Sequence, residues 1–319
     1  MEKQIFILYY GPSHEKEVSA STKDYYIELY KEENPILIKW LTIDTFEIDG
    51  KIYNTPELLK ILTLNDALVI IAAHGEYAED GYIQEIFETE RITFTGASSK
   101  TSRICIDKTS TNLLVTEIVD LPKTYTFDIN NYNPGRRDNC LGNVFPVVLK
   151  PNKMGSSVYT YLIKSEEELL QKIEELKKIE LKDPEFILQE YIKGIEYSIG
   201  VMLNSDGIAE VISITEIRPA DEFFTYNSKY ADSKTIEITP AEIPINLQKL
   251  LEATTLNIYN KIDPTNFYGR LDFIVKDGIP YFLEVNTLPG FSKTSIVPQQ
   301  LIATGKIGLF KINLVKFTN

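Results

Sequence analysis

The chain has 319 residues, 43% hydrophobic and 25% charged, which excludes a disordered or fibrous protein and allows about two domains, or three small ones. Its 33 Lys and Arg against 46 Asp and Glu leave a net charge of −13. That excludes general nucleic-acid binding, which needs clustered cations, but not a small anionic ligand held by two or three local Lys or Arg.

From the N-terminus, Gln4–Tyr9 is a continuous apolar and aromatic run ending at Gly11-Pro12, and Ala67–Ala73 is a second one ending at His74-Gly75. Runs of this kind, bounded by Gly or Pro, suit strands buried on both faces of a parallel sheet. The stretch Lys16–Lys31 between them predicts a helix, so an α/β domain with a parallel sheet is expected to about residue 95. Ligands of such sheets bind beyond the carboxyl ends of the strands, where Glu15 and His74 fall. His74 has two readings: a structural group, or one that orients a Glu or assists with phosphate. The segment from Met1 to Tyr10 carries no signal-peptide cleavage site, and no apolar run approaches the ~18 residues of a membrane span, so an intracellular, cytoplasmic chain without membrane partners is expected. Cys105 and Cys140 form no CxxC pair and read as two reduced thiols.

Further along, Asn130–Asn143 is rich in Asn, Gly, Pro and Arg and reads as a loop. Phe145–Lys150 predicts a strand, and Pro151–Ser157 a Gly/Ser loop. Ser165–Lys178 is the clearest helix: Ser165 and Glu168 have capping-box spacing, and Leu169, Ile173 and Leu176 make one apolar stripe. Phe186–Tyr191, Glu196–Leu203 and Val211–Ile217 predict strands, and Asp221–Ser233 an ordered loop.

The chemistry concentrates near the C-terminus. Arg270–Val275 and Tyr281–Asn286 are two apolar strands around Lys276-Asp277-Gly278, a strong hairpin signal. Its register decides what the hairpin can do. A two-residue Asp277-Gly278 turn pairs Asp272 with Leu283 and sends Glu284 to the opposite face. A three-residue loop with Gly278 left-handed puts Asp272, Glu284 and Asn286 on one face with Arg270. That second register assembles two carboxylates, an amide oxygen and a guanidinium, a set suited to Mg²⁺ and phosphate oxygens. Alone, the pattern also fits an exposed edge hairpin. Lys150, at a strand end before Gly155-Ser156-Ser157, could hold polyphosphate with help from backbone amides, or could simply enter a surface loop; the Walker pattern is absent.

Taken in order, these pieces resemble the D-alanine–D-alanine ligases of the ATP-grasp superfamily. The matching stretches are Gly11-Pro-Ser-His-Glu-Lys-Glu-Val-Ser19, His74-Gly-Glu-Tyr-Ala-Glu-Asp-Gly81, Asp107-Lys108, Lys150-Pro-Asn-Lys-Met-Gly-Ser-Ser-Val158, Gln189-Glu-Tyr-Ile-Lys-Gly-Ile-Glu196, Tyr226-Asn-Ser-Lys-Tyr230, Gly269-Arg-Leu-Asp272 and Glu284-Val-Asn-Thr-Leu-Pro-Gly290, followed by Ser295. The resemblance implies a three-domain ATP-grasp fold of mixed α/β type, divided at about 1–95, 96–184 and 185–319. It implies that ATP phosphorylates the carboxylate of one D-alanine and that the amine of a second D-alanine attacks the acyl phosphate, in service of peptidoglycan synthesis.

The residue roles implied are as follows. Asp272, Glu284 and Asn286 hold two Mg²⁺ ions, with Mn²⁺ able to substitute. Lys108, Lys150 and Lys229 bind phosphate. Arg270 and the Gly290 amide stabilise the developing oxyanion. Glu15 holds the first substrate's ammonium group and Ser295 the second's carboxylate. Ser156 and Tyr230 form a hydroxyl pair linking to Glu15, with Val158 and the Tyr226–Tyr230 loop as lids that exclude water. Glu196 binds ribose, and Ser157, Gln189, Glu190, Ile192 and Leu283 contribute further nucleotide contacts. A homodimer through the N-terminal region is implied as well.

The chain departs from the family pattern in several places. Gln189 stands where a Glu usually accepts from the adenine amino group, and a Gln carbonyl can accept the same bond. Met154 replaces an acidic residue, Tyr159 a small one and Ala78 a Gly, and the part after Gly305 is short and does not follow the usual final helix. Tyr230, lacking in depsipeptide-forming relatives, favours amine attack. Two other readings remain: a ligase of the same chemistry with other amino acids, motivated by Met154 and Tyr159, and a non-catalytic nucleotide-binding paralogue. Intact Arg270, Asp272, Glu284 and Asn286 argue against the latter, because its carboxylates would repel one another to no purpose.

Overall fold

The computed structural model describes residues 3–142, 144–155, 158–181, 183–218 and 235–318, the side chains of 138 and 139 excepted. The expected loop at Asp221–Ser233 lies outside the described residues.

Three sheets organise the chain. The first runs β4-β3-β2-β1-β5-β6. Strands β1 (Gln4–Tyr10), β2 (Ile36–Thr42), β5 (Ala67–Ile71) and β6 (Thr93–Phe94) are parallel, and β3 (Thr45–Ile48) and β4 (Lys51–Asn54) add an antiparallel edge. The unbroken apolar runs of β1 and β5 are explained by burial on both faces. Phe6, Leu8, Val69 and Ile71 pack with Trp40 on one side, and Ile5, Ile7, Leu68 and Ile70 pack on the other. Helix α1 (Lys16–Leu29) follows β1, while α2 (Thr55–Leu64) and α3 (Tyr82–Thr89) complete this part. Helix α1 stops two residues short of the expected end, and Lys31–Glu33 forms a single 3₁₀ turn.

The second sheet is antiparallel, β7-β10-β8-β9, from β7 (Thr124–Asp128), β8 (Val147–Pro151), β9 (Tyr161–Ile163) and β10 (Glu185–Glu190). Strand β10 is paired on both sides here, so it belongs with the central sheet and not with the C-terminal part, where a division at 184/185 puts it. Helices α4 (Ser99–Ile106) and α5 (Lys108–Val115) precede β7 and pack instead toward the C-terminal sheet.

Two local expectations are corrected here. The stretch read as a loop contains α6 (Pro134–Leu141). Pro134 suits a first helical position, and the Asn133 side chain accepts from Arg136 N at 3.3 Å. Arg137, 1% exposed, is drawn into the interior by an ion pair with Glu166 of α7 (Glu166–Leu176) and lies over the Phe145 ring. The polar composition therefore misled, because one of its charges is a buried pair. In α7, Leu169, Ile173 and Leu176 are all buried, and Ser165 accepts from Glu168 N at 3.2 Å. The Glu168 carboxylate, however, accepts from Lys164 N at 2.7 Å, so only the Ser165 half of the capping box forms as expected.

The third sheet is antiparallel, β13-β12-β11-β14-β15, from β11 (Ile195–Leu203), β12 (Ala209–Arg218), β13 (Ile236–Ile238), β14 (Tyr268–Lys276) and β15 (Ile279–Asn286). Helices α8 (Ile245–Ile262), α9 (Ile296–Ala303) and α10 (Ile307–Lys316) pack around it. The segment after Gly305 thus forms a helix, contrary to expectation, because Phe310 and Leu314 give it a buried side. One hydrophobic core joins this sheet to the inner face of the N-terminal one, while the central sheet has its own core. The seam between the first and third sheets is therefore fixed by packing.

That shared core buries ionisable groups in neutral form. Burial pushes the Cys105 thiol and the Tyr268 phenol each up to about 12, and raises Tyr26 and Tyr259 well above 10.0. A raised folded-state pKa gives stability that is complete below the unfolded value and is lost as pH rises toward the folded one. The melting temperature should hold to about pH 9 and fall steeply between about pH 10 and 12, in step with tyrosinate absorbance. Tyrosinate absorbance that reached the value for all 19 tyrosines with no loss of folded signal would show these phenols to be accessible. Cys140 is exposed and Cys105 buried, and neither is paired. Among the described residues no helix is long and apolar enough to cross a membrane.

Candidate active site

The β14–β15 hairpin sets the chemistry through its register. Asp272 pairs with Glu284 and Arg270 with Asn286, so all four side chains share one face. The device differs from the expected three-residue loop. Lys276 pairs with Ile279 across a two-residue turn, with Asp277 at φ 53° and Gly278 at φ 79°, a pair of left-handed residues as a tight hairpin turn requires. Counting inward from that turn would pair Asp272 with Leu283. A bulge between Asp272 and Phe273 skips Leu283 and restores the facing carboxylates. Leu283 is thus the residue that changes the parity of the strand.

Asp272 is buried, and each of its oxygens accepts two hydrogen bonds. Oδ1 takes Arg270 Nε at 3.0 Å and Ser198 Oγ at 2.5 Å, and Oδ2 takes Arg270 Nη2 at 2.8 Å and Asn286 Nδ2 at 3.2 Å. The bidentate fork fixes Arg270 beside the carboxylate. Glu284 Oε2 lies 3.4 Å from Lys108 Nζ. Lys108 is 5% exposed and opens α5, where Asp107 caps the helix by accepting from Ser110 N. Its ammonium also donates to the Met154 carbonyl at 2.7 Å. This one lysine therefore ties the hairpin to the loop after β8. Because the contact is to backbone, it does not depend on what side chain stands at 154. Lys150, on β8 opposite Ile187, is half-buried.

A cavity of about 900 Å³ lies in the seam between the first and third sheets. It is walled by Glu15, Glu196, Arg270, Asp272, Glu284, Asn286, Gly290 and Ser295, eight of the expected site residues from five separate stretches of sequence. Glu15 precedes α1, with its N–H on Ser13 Oγ at 3.2 Å. Gly75 lies against it: its φ of +78° favours glycine, and a Cβ there would crowd Ser13 Oγ at 3.0 Å and Glu15 Oε1 at 3.2 Å. Ser295 stands at the N-cap position of α9 without a side-chain cap bond, and its Oγ accepts from Ser292 N at 3.0 Å. Gln189, Glu190 and Ile192 lie outside this wall. Gln189 is buried, donating to Thr124 Oγ1 at 3.2 Å, the Glu190 carboxylate accepts from Lys123 N at 3.3 Å, and Ile192 is buried. Ser156, Ser157, Tyr226, Lys229 and Tyr230 lie outside the described residues.

The wall also carries His74 and Glu79, to the second of which the sequence reading gave no part. His74 is 2% exposed, with Nε2 2.9 Å from Thr22 Oγ1 and Nδ1 3.2 Å from Glu79 Oε1. Phe291 N donates to the same Thr22 oxygen at 3.3 Å, so α1 and the turn after β15 share one buried link. This geometry fits both readings of His74: a buried structural link through Thr22 and a group that orients a Glu, here Glu79. Glu79 lies within a quoted motif, and the five-residue spacing from His74 was the available signal.

Among the described residues seven carboxylates line the cavity, those of Glu15, Glu17, Glu79, Glu196, Glu237, Asp272 and Glu284, against the permanent cations Lys16 and Arg270. Such a field suits ammonium groups and admits a polyphosphate only with added positive charge. Among the described residues no group of three His, Cys, Asp or Glu could hold a metal by itself. Two carboxylates and an amide oxygen fit a hard cation that takes its remaining ligands from phosphate and water.

Residues 129–309 match the family model described as D-ala D-ala ligase C-terminus. The chain is 36% identical over 277 residues to the D-alanine–D-alanine ligase of Fervidobacterium nodosum, covering 82% of this chain and 84% of that one. Its structure matches that of the Bacillus anthracis D-alanine–D-alanine ligase complexed with ATP, at TM-score 0.77 and 27% identity, over 98% of this chain and 96% of that one. It also matches the VanG D-Ala:D-Ser ligase of Enterococcus faecalis at TM-score 0.79 and 26% identity, over 99% of each chain. The mixed α/β architecture of three sheets is the ATP-grasp fold of these ligases.

Proposed function

This chain belongs to the D-alanine–D-alanine ligase family, and we propose that it joins two D-alanines at the cost of ATP, with each described site residue in the role its place suggests. The observation that carries the reading is the facing pair Asp272 and Glu284, with Arg270 and Lys108 against them.

Glu15, before α1, holds the ammonium group of the first D-alanine. Lys108 and Lys150 hold the phosphates of ATP, and Glu196 the ribose. The buried Gln189 spends its amide nitrogen on Thr124, which turns its carbonyl oxygen toward the role of adenine acceptor. Glu190, Ile192 and Leu283 complete the nucleotide's surroundings. Mg²⁺ at Asp272, Glu284 and Asn286, two ions with Mn²⁺ able to substitute, would neutralise the triphosphate. The first D-alanine carboxylate takes the γ-phosphoryl group and ADP leaves. Ser295 places the carboxylate of the second D-alanine so that its neutral amine meets the acyl carbon. The C–N bond forms, the amine loses a proton, the C–O bond to phosphate breaks, and phosphate departs. Arg270 and the Gly290 amide face the negative charge that appears on the acyl oxygens, where a lost donor is most costly. We place the reaction in the cytoplasm as a step of peptidoglycan synthesis, carried out by a homodimer.

A second reading, a ligase with a different second amino acid, is favoured by the structural likeness to a D-Ala:D-Ser ligase. One assay separates the two: phosphate release from Mg²⁺ and ATP with D-alanine, with L-alanine, with D-alanine plus D-serine, and with no amino acid. Release with D-alanine alone, together with a dipeptide of the matching mass, is the expected result. Release that requires D-serine would favour the second reading, and release with none of these would remove the assignment of substrate.

A further inference from the structure

Helix α9 carries a buried polar residue that none of the roles above uses. Its interior side is apolar at Val297, Pro298 and Leu301, yet Gln300 among them is 0% exposed. The Gln300 side chain reaches across to the third sheet. Its Nε2 donates to the Ser198 carbonyl at 3.0 Å and to Thr215 Oγ1 at 2.9 Å, and Thr215 in turn meets Thr239 Oγ1 at 2.7 Å. Room for it is made by Gly200, where a Cβ would stand 2.2 Å from Gln300 Oε1. Among the described residues that buried oxygen has no hydrogen-bond partner. An unpaired buried carbonyl on an apolar helix face costs stability that a Leu or Met would not. Apolar packing alone therefore gives no reason for an amide here.

What Gln300 joins gives it a part. Five residues before it, Ser295 starts the same helix. Ser198, which it grips through the backbone, places its hydroxyl 2.5 Å from Asp272 Oδ1. Asp272 in turn holds Arg270. A continuous chain thus runs Ser295–α9–Gln300–Ser198–Asp272–Arg270, buried from Gln300 to Asp272, from the group that receives the second amino acid to the groups that act on the acyl phosphate. We propose that Gln300, seated in the Gly200 notch, is a positioning residue that fixes the second-substrate half of the site against the phosphoryl half. The inference rests on the two-step reading given above. It deepens that reading by assigning to one buried amide the distance between attacking amine and acyl carbon. Directional hydrogen bonds can set such a distance, whereas an apolar contact lets the helix slide.

The test uses the full-length protein with Gln300→Met, which keeps length and volume and removes both hydrogen bonds, and the double variant Gly200→Ala/Gln300→Ala, which refills the notch from the other side. For each, melting temperature, ATP affinity by calorimetry, the KM of the second amino acid, and phosphate released per dipeptide formed are measured. A positioning role predicts a melting temperature at or above wild type for Gln300→Met and unchanged ATP affinity. The KM should rise by about ten-fold, and more phosphate than dipeptide should appear, as water replaces the misplaced amine. A KM and a phosphate-to-dipeptide ratio equal to wild type in a folded variant would overturn the inference while leaving the ligase reading intact. A wild-type protein that releases phosphate but makes no dipeptide would overturn the ligase reading, and this inference with it.

Discussion

Replacing Arg270 by Ala should cut turnover by about 10²-fold or more while leaving ATP affinity within a few-fold of wild type, the pattern expected when a donor to a developing oxyanion is lost. The structure sharpens this expectation. Arg270 is held by a two-point contact with Asp272, so its guanidinium is fixed before any substrate arrives. The loss should therefore fall on kcat, where a preorganised group acts. Arg270→Lys keeps the charge but not the planar fork and should recover only a small part of the rate. Removal of Arg270 also leaves Asp272 with Ser198 and Asn286 as its donors among those described, and so more negative. Affinity for a divalent cation in the presence of nucleotide should accordingly hold or rise. Turnover near wild type in Arg270→Ala, at saturating ATP and amino acid, would remove Arg270 from the chemical step.

Glu284→Ala should act on binding, not on the chemical step alone. Mg²⁺-dependent ATP affinity is expected to fall by about ten-fold or more, since one of two carboxylate ligands is lost. Glu284 also neutralises Lys108 at 3.4 Å, and Lys108 keeps its second tie to the Met154 carbonyl. Without Glu284 the ammonium is more available to phosphate, so affinity for ATP in the absence of metal should stay level or increase. The two variants thus shift metal dependence in opposite directions. Calorimetric titration of ATP with and without Mg²⁺ measures both, and an unchanged difference between the two conditions in Glu284→Ala would take Glu284 out of the metal site. Glu284→Gln, which keeps the shape, guards against a change in the hairpin itself.

Arg270, Asp272, Glu284 and Asn286 were all visible in the sequence, and so was the dependence of their chemistry on register. The right face was reached by the wrong device. A count of turn residues cannot reveal a bulge, because the skipped residue, Leu283, is an ordinary apolar strand residue. Similarly, α6 hid behind Asn, Gly and Arg because Arg137 is paired internally with Glu166, a partner 29 residues away. Strands β1 and β5 and helix α7 were legible because burial on two faces, or along one stripe, leaves a periodic mark on a single segment.

By itself the sequence determined which groups are available: the carboxylates, amide and guanidinium of the hairpin, the lysines that the resemblance assigns to phosphate, and the motif order that sets the family. Only the tertiary structure decided that Glu15, Glu196, Asp272 and Ser295 share one cavity, that His74 lies against Glu79, that Lys108 bridges Glu284 and Met154, and that Gln300 is buried in the notch of Gly200. The reason is physical. Periodicity and turn chemistry are properties of neighbours along the chain. A cavity, a buried hydrogen bond or a strand parity depends on contacts between segments that the chain brings together only when it packs a common core.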